Sequence, residues 1–380
     1  MTPNVKTLTL GAVATFKSGG TPSKSRDDYW GGNLPWVSAK DLKSPIIIDS
    51  IDHLSIAGFA VANIAPANSL LILVRGMTLH KDVPVCLAGR DVAFNQDIKS
   101  LVVSEEISPK YLLFFLHSKK NRLLDLVDSA GHGTGRLNTD LLKAFPVLIP
   151  PLPEQTAIAD LLSTWDVAIE KTEQLIAAKE KRFLWLFMKL FKEQSKNWQT
   201  VALSNICSIK KGQQLSKVDM IEDGKFYVLN GGIILSGYTD KWNTPKSTIT
   251  ISEGGNSCGF VFFNTEPFWC GGHCYSLADV SPDINNIFLY HYLKCHEKQI
   301  MRLRVGSGLP NIQRKDIEHI LVSYPSISEQ QQIAEILNIA RQEIDLLKNL
   351  VDAYYKQKRG LMQKLLTGKW QLSIKEEIVA

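Results

Sequence analysis

Four groups of residues in this 380-residue chain are of types that do chemistry. Gly131-His132-Gly133-Thr134-Gly135 has the glycine density of a phosphate cradle. A dinucleotide loop follows a strand and opens a helix, whereas this one follows a helical stretch and precedes a strand. Asn33-Leu34-Pro35-Trp36 has the Asn and aromatic of an adenine-methylating site. Leu34 stands where a proline is needed, and no Gly-rich cofactor turn accompanies it, so an ordinary turn with a packing Trp is expected. Cys270, His273, Cys274, His291, Cys295 and His296 are metal-ligand types without zinc-finger spacing, so no metal is expected. Asp41-Leu42-Lys43 matches the end of a nuclease site but has no partner acid. Nothing assembles an acid, a base and a nucleophile, and the chain is expected to catalyse nothing.

What remains is a set of polar, Gly-flanked loops. In the first half they are Ser18 to Lys24, Arg75 to Lys81 and Asn95 to Asp97. In the second half they are Lys211 to Gln214, Asn230 to Gly232 and Gly254 to Ser257. Asn and Gln pair bidentately with adenine edges and Arg with guanine, while Gly lets backbone amides approach phosphates. The alternative for each loop is a solvated turn. The Gly-x-Gly loops have a second alternative, that they only shape the entry to the helix that follows.

The loops must be positioned by a frame that occurs twice. Pro150, Pro151 and Pro153 forbid helix upstream and suit a first helical turn. A four-three seam then runs through Ile158, Leu162, Trp165, Ile169, Thr172, Ile176, Lys179, Phe183, Leu186 and Leu190. Glu154-Gln155 recurs as Glu329-Gln330, and the same step carries the seam onto Ile333, Leu337, Ala340, Ile344, Leu347, Val351, Tyr354, Lys358, Leu361 and Leu365. It also carries Gly131 and Gly133 onto Gly306 and Gly308. Each helix of about 39 residues would run for about 58 Å. Ser328 with Gln331 makes a capping box at the second start.

The expected organisation is a mixed α/β domain over 1–150, a helix over 151–195, a second domain over 196–325, a second helix over 326–370 and a tail over 371–380. In the first domain a buried strand is expected at Ser69 to Arg75 and a helix from Tyr111 to Leu126. In the second, Ile221 to Gly237 and Ser247 to Phe263 read as strand-like, and Ile287 to Arg304 as a helix. The repeat matches at its ends and diverges inside. Two equal helices returning on each other as an antiparallel pair would hold two globules at opposite ends of a spacer, related by a pseudo-two-fold axis.

An apolar content of 44% and a mean hydropathy of −0.05 describe a soluble, folded chain. No apolar run reaches the ~18 residues of a membrane span. The start lacks a signal-peptide pattern, and the six cysteines lack secreted-domain spacing, so a cytoplasmic protein is expected. A net charge of +5 permits an anionic partner.

With these features in place, the chain resembles the specificity subunits of type I restriction–modification systems. The resemblance rests on the helix start Pro150 to Gln155 and its partial copy Pro325 to Gln330, and on the Gly-rich loops before them. It rests also on the opening stretch from Lys17 to Leu42 and the closing stretch from Lys356 to Trp370. The second copy departs where Pro151 and Pro153 become Ser326 and Ser328. The resemblance implies two target-recognition domains on an antiparallel coiled-coil spacer, each reading one half of a bipartite, asymmetric site in double-stranded DNA. It implies two methyltransferase subunits docked on the helices, using S-adenosylmethionine to methylate adenine at N6. A further restriction and translocation subunit would use ATP and Mg, leaving no cofactor on this chain.

The positions matching the family's recognition motifs are Gly19, Thr21, Pro22, Trp36, Gly76, Asn95 and Gln96, then more loosely Gly212, Gly255, Gly271 and His273. The full set expected to contact DNA adds Gly20, Ser23, Lys24, Arg75, Thr78, His80 and Lys81 in the first half. In the second half it adds Lys211, Gln213, Gln214, Asn256 and Ser257. Lys24, Arg75, Lys81 and Lys211 would hold phosphates. Phe183, Trp185, Phe187 and Phe191 exceed what a paired helix needs, and are expected to bury against a methyltransferase subunit, with packing on the chain's own domains as the alternative. Other readings are a two-headed scaffold for a partner that is not DNA, a stand-alone methyltransferase or nuclease, and a specificity subunit of a methylation-only system.

Overall fold

The computed structural model describes residues 5–130, 133–193, 198–306, 308 and 310–372. Gly131 and His132 of the first Gly-rich loop, residues 194–197 around the expected start of the second domain, and the tail from Ser373 lie outside the described residues. The chain divides into two compact units, and both cuts fall inside the long helices, at Lys171/Thr172 and Leu350/Val351.

In the first unit, Leu70–Leu73 is an unbroken buried apolar run, so it occupies the inside of a sheet. The five-stranded order is Ala14–Ser18, Ile98–Val103, Leu70–Leu73, Val85–Ala88 and Ile46–Ile47. The helix Pro109–Ser118 packs on it. Pro109 sits in the first turn, and the Ser108 hydroxyl accepts the Tyr111 N–H at 3.3 Å. The expected helix to Leu126 is broken at Lys119 and resumes as Lys120–Leu124. A second sheet, in the order Asp52–Leu54, Trp30–Val37, Val92–Phe94 and Ile64–Ala65, holds its own small core of Trp36, Leu54 and Ala93. Lys6–Thr9 pairs with Pro146–Ile149 to bring the chain to the long helix.

The second unit repeats this plan. Its main sheet runs Ser208–Lys211, Cys274–Ala278, Thr248–Ser252 and Val261–Asn264, one edge strand short of the first. Its smaller sheet is Gly237–Thr239, Phe226–Leu229 and Trp269–Cys270, and Gln199–Ala202 pairs with Leu321–Tyr324. Asn285 caps the helix Asn286–Cys295. The interiors of the repeat therefore share strand order, although their sequences diverge. In the stretch from Ile221 to Gly237, expected to be strand-like, Phe226–Leu229 is strand, Gly237 begins the next strand and Asn230 to Gly232 leaves the sheet as a loop.

The long helices are Leu152–Met188 (37 residues) and Ile327–Leu365 (39 residues), the first continuing through a π turn at Lys189–Glu193. Every seam position in both is buried or half-buried. In the first unit Trp165 meets Tyr354 edge-on at 5.5 Å, and Lys358 bonds Asp166. In the second unit Lys179 pairs with Glu343 at 2.6 Å and Phe183 and Leu186 face Ala340 and Ile336, an antiparallel arrangement. The polar lapse at Lys179 is thus an ion pair across the seam. The second helix begins earlier than its expected capping box, at Ile327, with the Ser326 hydroxyl accepting the Glu329 N–H at 3.4 Å.

Candidate nucleic-acid interface

In the first unit three of the expected loops converge. The Gly20 N–H donates to the Phe94 carbonyl at 2.8 Å, and the Thr21 hydroxyl donates to the Gln96 side chain at 2.7 Å. The Val74 and Arg75 N–H groups both donate to the Asp97 carbonyl, at 2.8 and 3.3 Å. Thr21, Ser23, Lys24, Gln96, Arg75, Thr78, His80 and Lys81 are exposed there. His80 bonds the Gly133 carbonyl at 2.8 Å, tying the Arg75 to Lys81 loop to the Gly-rich loop.

Other expected contacts are corrected by burial. A Cβ on Gly19 would lie 2.1 Å from the Asn95 carbonyl oxygen, so this glycine permits a backbone approach. Pro22 is buried, and so is Trp36, at 6% exposure, with its indole N–H donating to the Gly20 carbonyl at 3.1 Å. Asn95 is buried with its amide spent on the Asp97 N–H and carboxylate, both at 3.2 Å. Gly19, Pro22, Trp36 and Asn95 build the loops, and the neighbouring side chains are the exposed ones.

The second unit repeats the convergence. The Gln213 N–H donates to the Cys270 carbonyl at 2.9 Å, and a Cβ on Gly212 would lie 2.2 Å from the Gly271 carbonyl oxygen. Its counterpart to Trp36 comes from the other strand of the parallel pair: the Trp269 indole donates to the Gln213 carbonyl at 2.8 Å. Gln213, Gln214, Asn256 and His273 are exposed, and Gly255 has a left-handed φ of +74°. The Ser257 hydroxyl donates to the Gly231 carbonyl at 2.6 Å.

Lys211 meets a residue that the sequence reading missed. Glu253, almost wholly buried, accepts from Lys211 Nζ at 2.7 Å and from the Tyr275 hydroxyl at 2.9 Å. Burial and this bond push the Tyr275 hydroxyl up to about 12. Lys211 is thus a half-exposed cation anchored on a buried carboxylate. Cys270 and Cys274 belong to a small apolar core with Leu229 and Phe268, where Cys270 and burial push the Cys274 thiol well up. Among the described residues no cluster of three His, Cys, Asp or Glu side chains fits a metal ion.

A model of the type I restriction modification DNA specificity domain matches residues 3–193 and again 195–353. The chain belongs to that family. The two matches fall on the two copies of the frame, so each copy is one specificity domain. A type I restriction enzyme specificity subunit of Escherichia coli, EcoR124I/EcoR124II, is 30% identical over 165 residues, 43% of this chain and 41% of that protein. The chain spans about half the length of the first curated relatives it matches. The MjaIX specificity subunit of Methanocaldococcus jannaschii is 26% identical over 410 residues, covering 94% of this chain and 91% of that protein. The crystal structure of a type I system S subunit from M. genitalium shares the fold, with a TM-score of 0.71 at 22% identity, covering 96% of each chain.

In this specificity-family chain the aromatic cluster on the first long helix does not form the expected docking face. Phe187 stacks on Phe183 and Phe191 meets Phe288 and Tyr292, so the second unit's own core takes them up. Phe191, within the π turn, lies in that core. Only Trp185 of the four is exposed, at 54%, with Lys189 over its ring at 5.0 Å. Among the described residues no helix is long and apolar enough to cross a membrane.

Proposed function

We propose that this chain is the sequence reader of a type I restriction–modification complex, with each specificity domain reading one half of a split, asymmetric DNA site. The observation that carries this reading is the pair of loop clusters, built on one backbone plan and furnished with different side chains. The first presents Arg75, His80, Lys81, Lys24 and Gln96; the second presents Lys211, Gln213, Gln214, Asn256 and His273. Cations hold phosphates and the amide and ring groups meet base edges. One frame with two furnishings suits a target whose halves differ.

The chain carries out no reaction in this proposal. Two methyltransferase subunits, with S-adenosylmethionine, dock on the long helices and methylate adenine at N6 on the sites the chain selects. A restriction subunit with ATP and Mg completes the complex in the cytoplasm. The deciding experiment maps N6-methyladenine across the genome of the source strain with and without the gene, alongside DNA binding by the reconstituted complex. Loss of one split motif together with salt-dependent binding supports the reading. A reconstituted complex that methylates no split motif overturns it.

A further inference from the structure

The repeat places Arg136 and Asn311 at the same point of the two units. The sequence step that takes Glu154 to Glu329 also takes Arg136 to Asn311. The backbones agree: Leu137 N–H donates to Val74 O and Ile312 N–H to Glu253 O, both at 2.9 Å. Arg136 lies opposite Arg75, and Asn311 opposite Gly254. Val74 and Glu253 in turn donate to Asp97 and His273 carbonyls, at 2.8 and 2.9 Å, so the same edge of each loop cluster is reached.

In the second unit this point lies in a cavity of about 520 Å³, whose lining includes Asn230, Gly231, Gly255, Ser257, His273 and Asn311. Both backbone groups of Asn311 are used on Val305, at 2.9 Å. Its side-chain Oδ1 is buried with no hydrogen-bond partner among the described residues. An unpaired buried acceptor is a cost that a ligand's donor relieves. Turned into the cavity, the amide would present a donor and an acceptor side by side, the pattern that fits adenine N7 and N6. In the first unit the point is exposed, and two arginines stand opposite each other in the register of the strand pair. Like charges directly opposite destabilise a strand pair unless an anion or a strong acceptor joins them. Asp128 lies opposite Arg136 on its other side, and among the described residues neither arginine forms an ion pair.

We propose that the cavity of the second unit is a base-reading site in which Asn311 recognises adenine, and that Arg136 recognises guanine at the matching point of the first unit. The proposal rests on the DNA-reading function above and names the side chains that carry it.

The test uses the full chain assembled with its methyltransferase subunits and reads the methylated motif and DNA affinity. Wild type must first methylate one split motif; if it does not, the underlying reading fails before these residues are judged. Asn311→Asp keeps the shape and leaves only acceptors, so adenine at one position gives way to cytosine, with a preference change of about tenfold or more. Arg136→Ala relaxes a guanine at one position of the other half-site by a similar factor. If Asn311→Asp unfolds the second unit, Asn311→Ser takes its place and relaxes the adenine position without switching it. An unchanged motif overturns the proposal, as an ordered water would then be all that Asn311 holds. Changes by both variants in one half-site overturn it too. So does a uniform loss of affinity over all sequences with a shallower salt slope, the mark of a phosphate contact.

Discussion

The side-chain oxygen of Gln155 accepts the backbone N–H of Ser108 at 2.9 Å, although 47 residues separate them. Its amide nitrogen donates to the carbonyls of Glu106 and Pro150, at 3.0 and 2.8 Å, and the residue is 0% exposed. Gln330 repeats all three bonds in the second unit, to Asn285 N–H and to the Asp283 and Pro325 carbonyls, at 2.9, 3.0 and 3.0 Å. Each glutamine ties the start of a long helix to the cap of the helix that packs on the sheet. A change in a sheet is thereby coupled to the helix that carries it.

Replacing Gln155 by Leu should therefore cost on the order of 3 kcal/mol, because it strands one N–H and two carbonyls in a site closed to water. Urea denaturation followed by hydrogen exchange should show the loss in the first unit. An unchanged midpoint would show that the three bonds are replaced by solvent.

Trp36 and Trp269 fill matching positions from opposite strands of the parallel pair, next to Ala93 and Val228 respectively. Trp36→Val should cost roughly 2–4 kcal/mol through a cavity and a lost bond to the Gly20 carbonyl. Adding Ala93→Trp imitates the second unit and should restore part of that loss. A double variant no more stable than Trp36→Val would rule out the exchange of strands.

Gly19→Ala and Gly212→Ala each force a Cβ against a carbonyl oxygen of the facing loop. Each should displace one loop cluster and, on the proposed function, weaken recognition of one half-site only. Methylation maps of the two variants decide it, and loss of the same half by both would contradict the assignment of one half-site to each unit.

His291 is buried against Phe187, its Nε2 has no partner among the described residues, and burial pushes its pKa down to about 4. A histidine depressed in the folded state contributes stability that is present above its unfolded value near 6.5 and lost as pH falls toward 4. The second unit should lose on the order of 3 kcal/mol across that window. His291→Leu should flatten the dependence without loss at pH 7. Equal slopes for both proteins in a series of thermal melts would place the acid sensitivity elsewhere.

Trp185 and Phe187 are two residues apart and should behave oppositely. Phe187→Ala should cost about 3–5 kcal/mol of stability. Trp185→Ala should leave the melting temperature unchanged and weaken association with the proposed methyltransferase subunit, read by titration calorimetry. Full-strength association would remove the last of the four aromatics from the docking face.

The sequence by itself determined the two long helices, their seam and the doubling of the frame, because helical period and proline punctuation are local and survive divergence. It also located the loops, since Gly, Asn and Pro mark turns wherever they fall. Only the tertiary structure decided which loop residues face outward. Asn95 looks like a contact in one dimension, and Trp36 like either a contact or a packing residue; one closes a turn on Asp97 and the other closes a core. Phe187 and Phe191 are surplus to a paired helix, and the sequence leaves open whether a partner or the second unit covers them; the fold covers them itself. Glu253, Arg136 and Asn311 carry no motif. They became visible when strand pairing set Arg136 beside Arg75 and Asn311 beside Gly254, a register fixed by contacts between residues far apart in the chain.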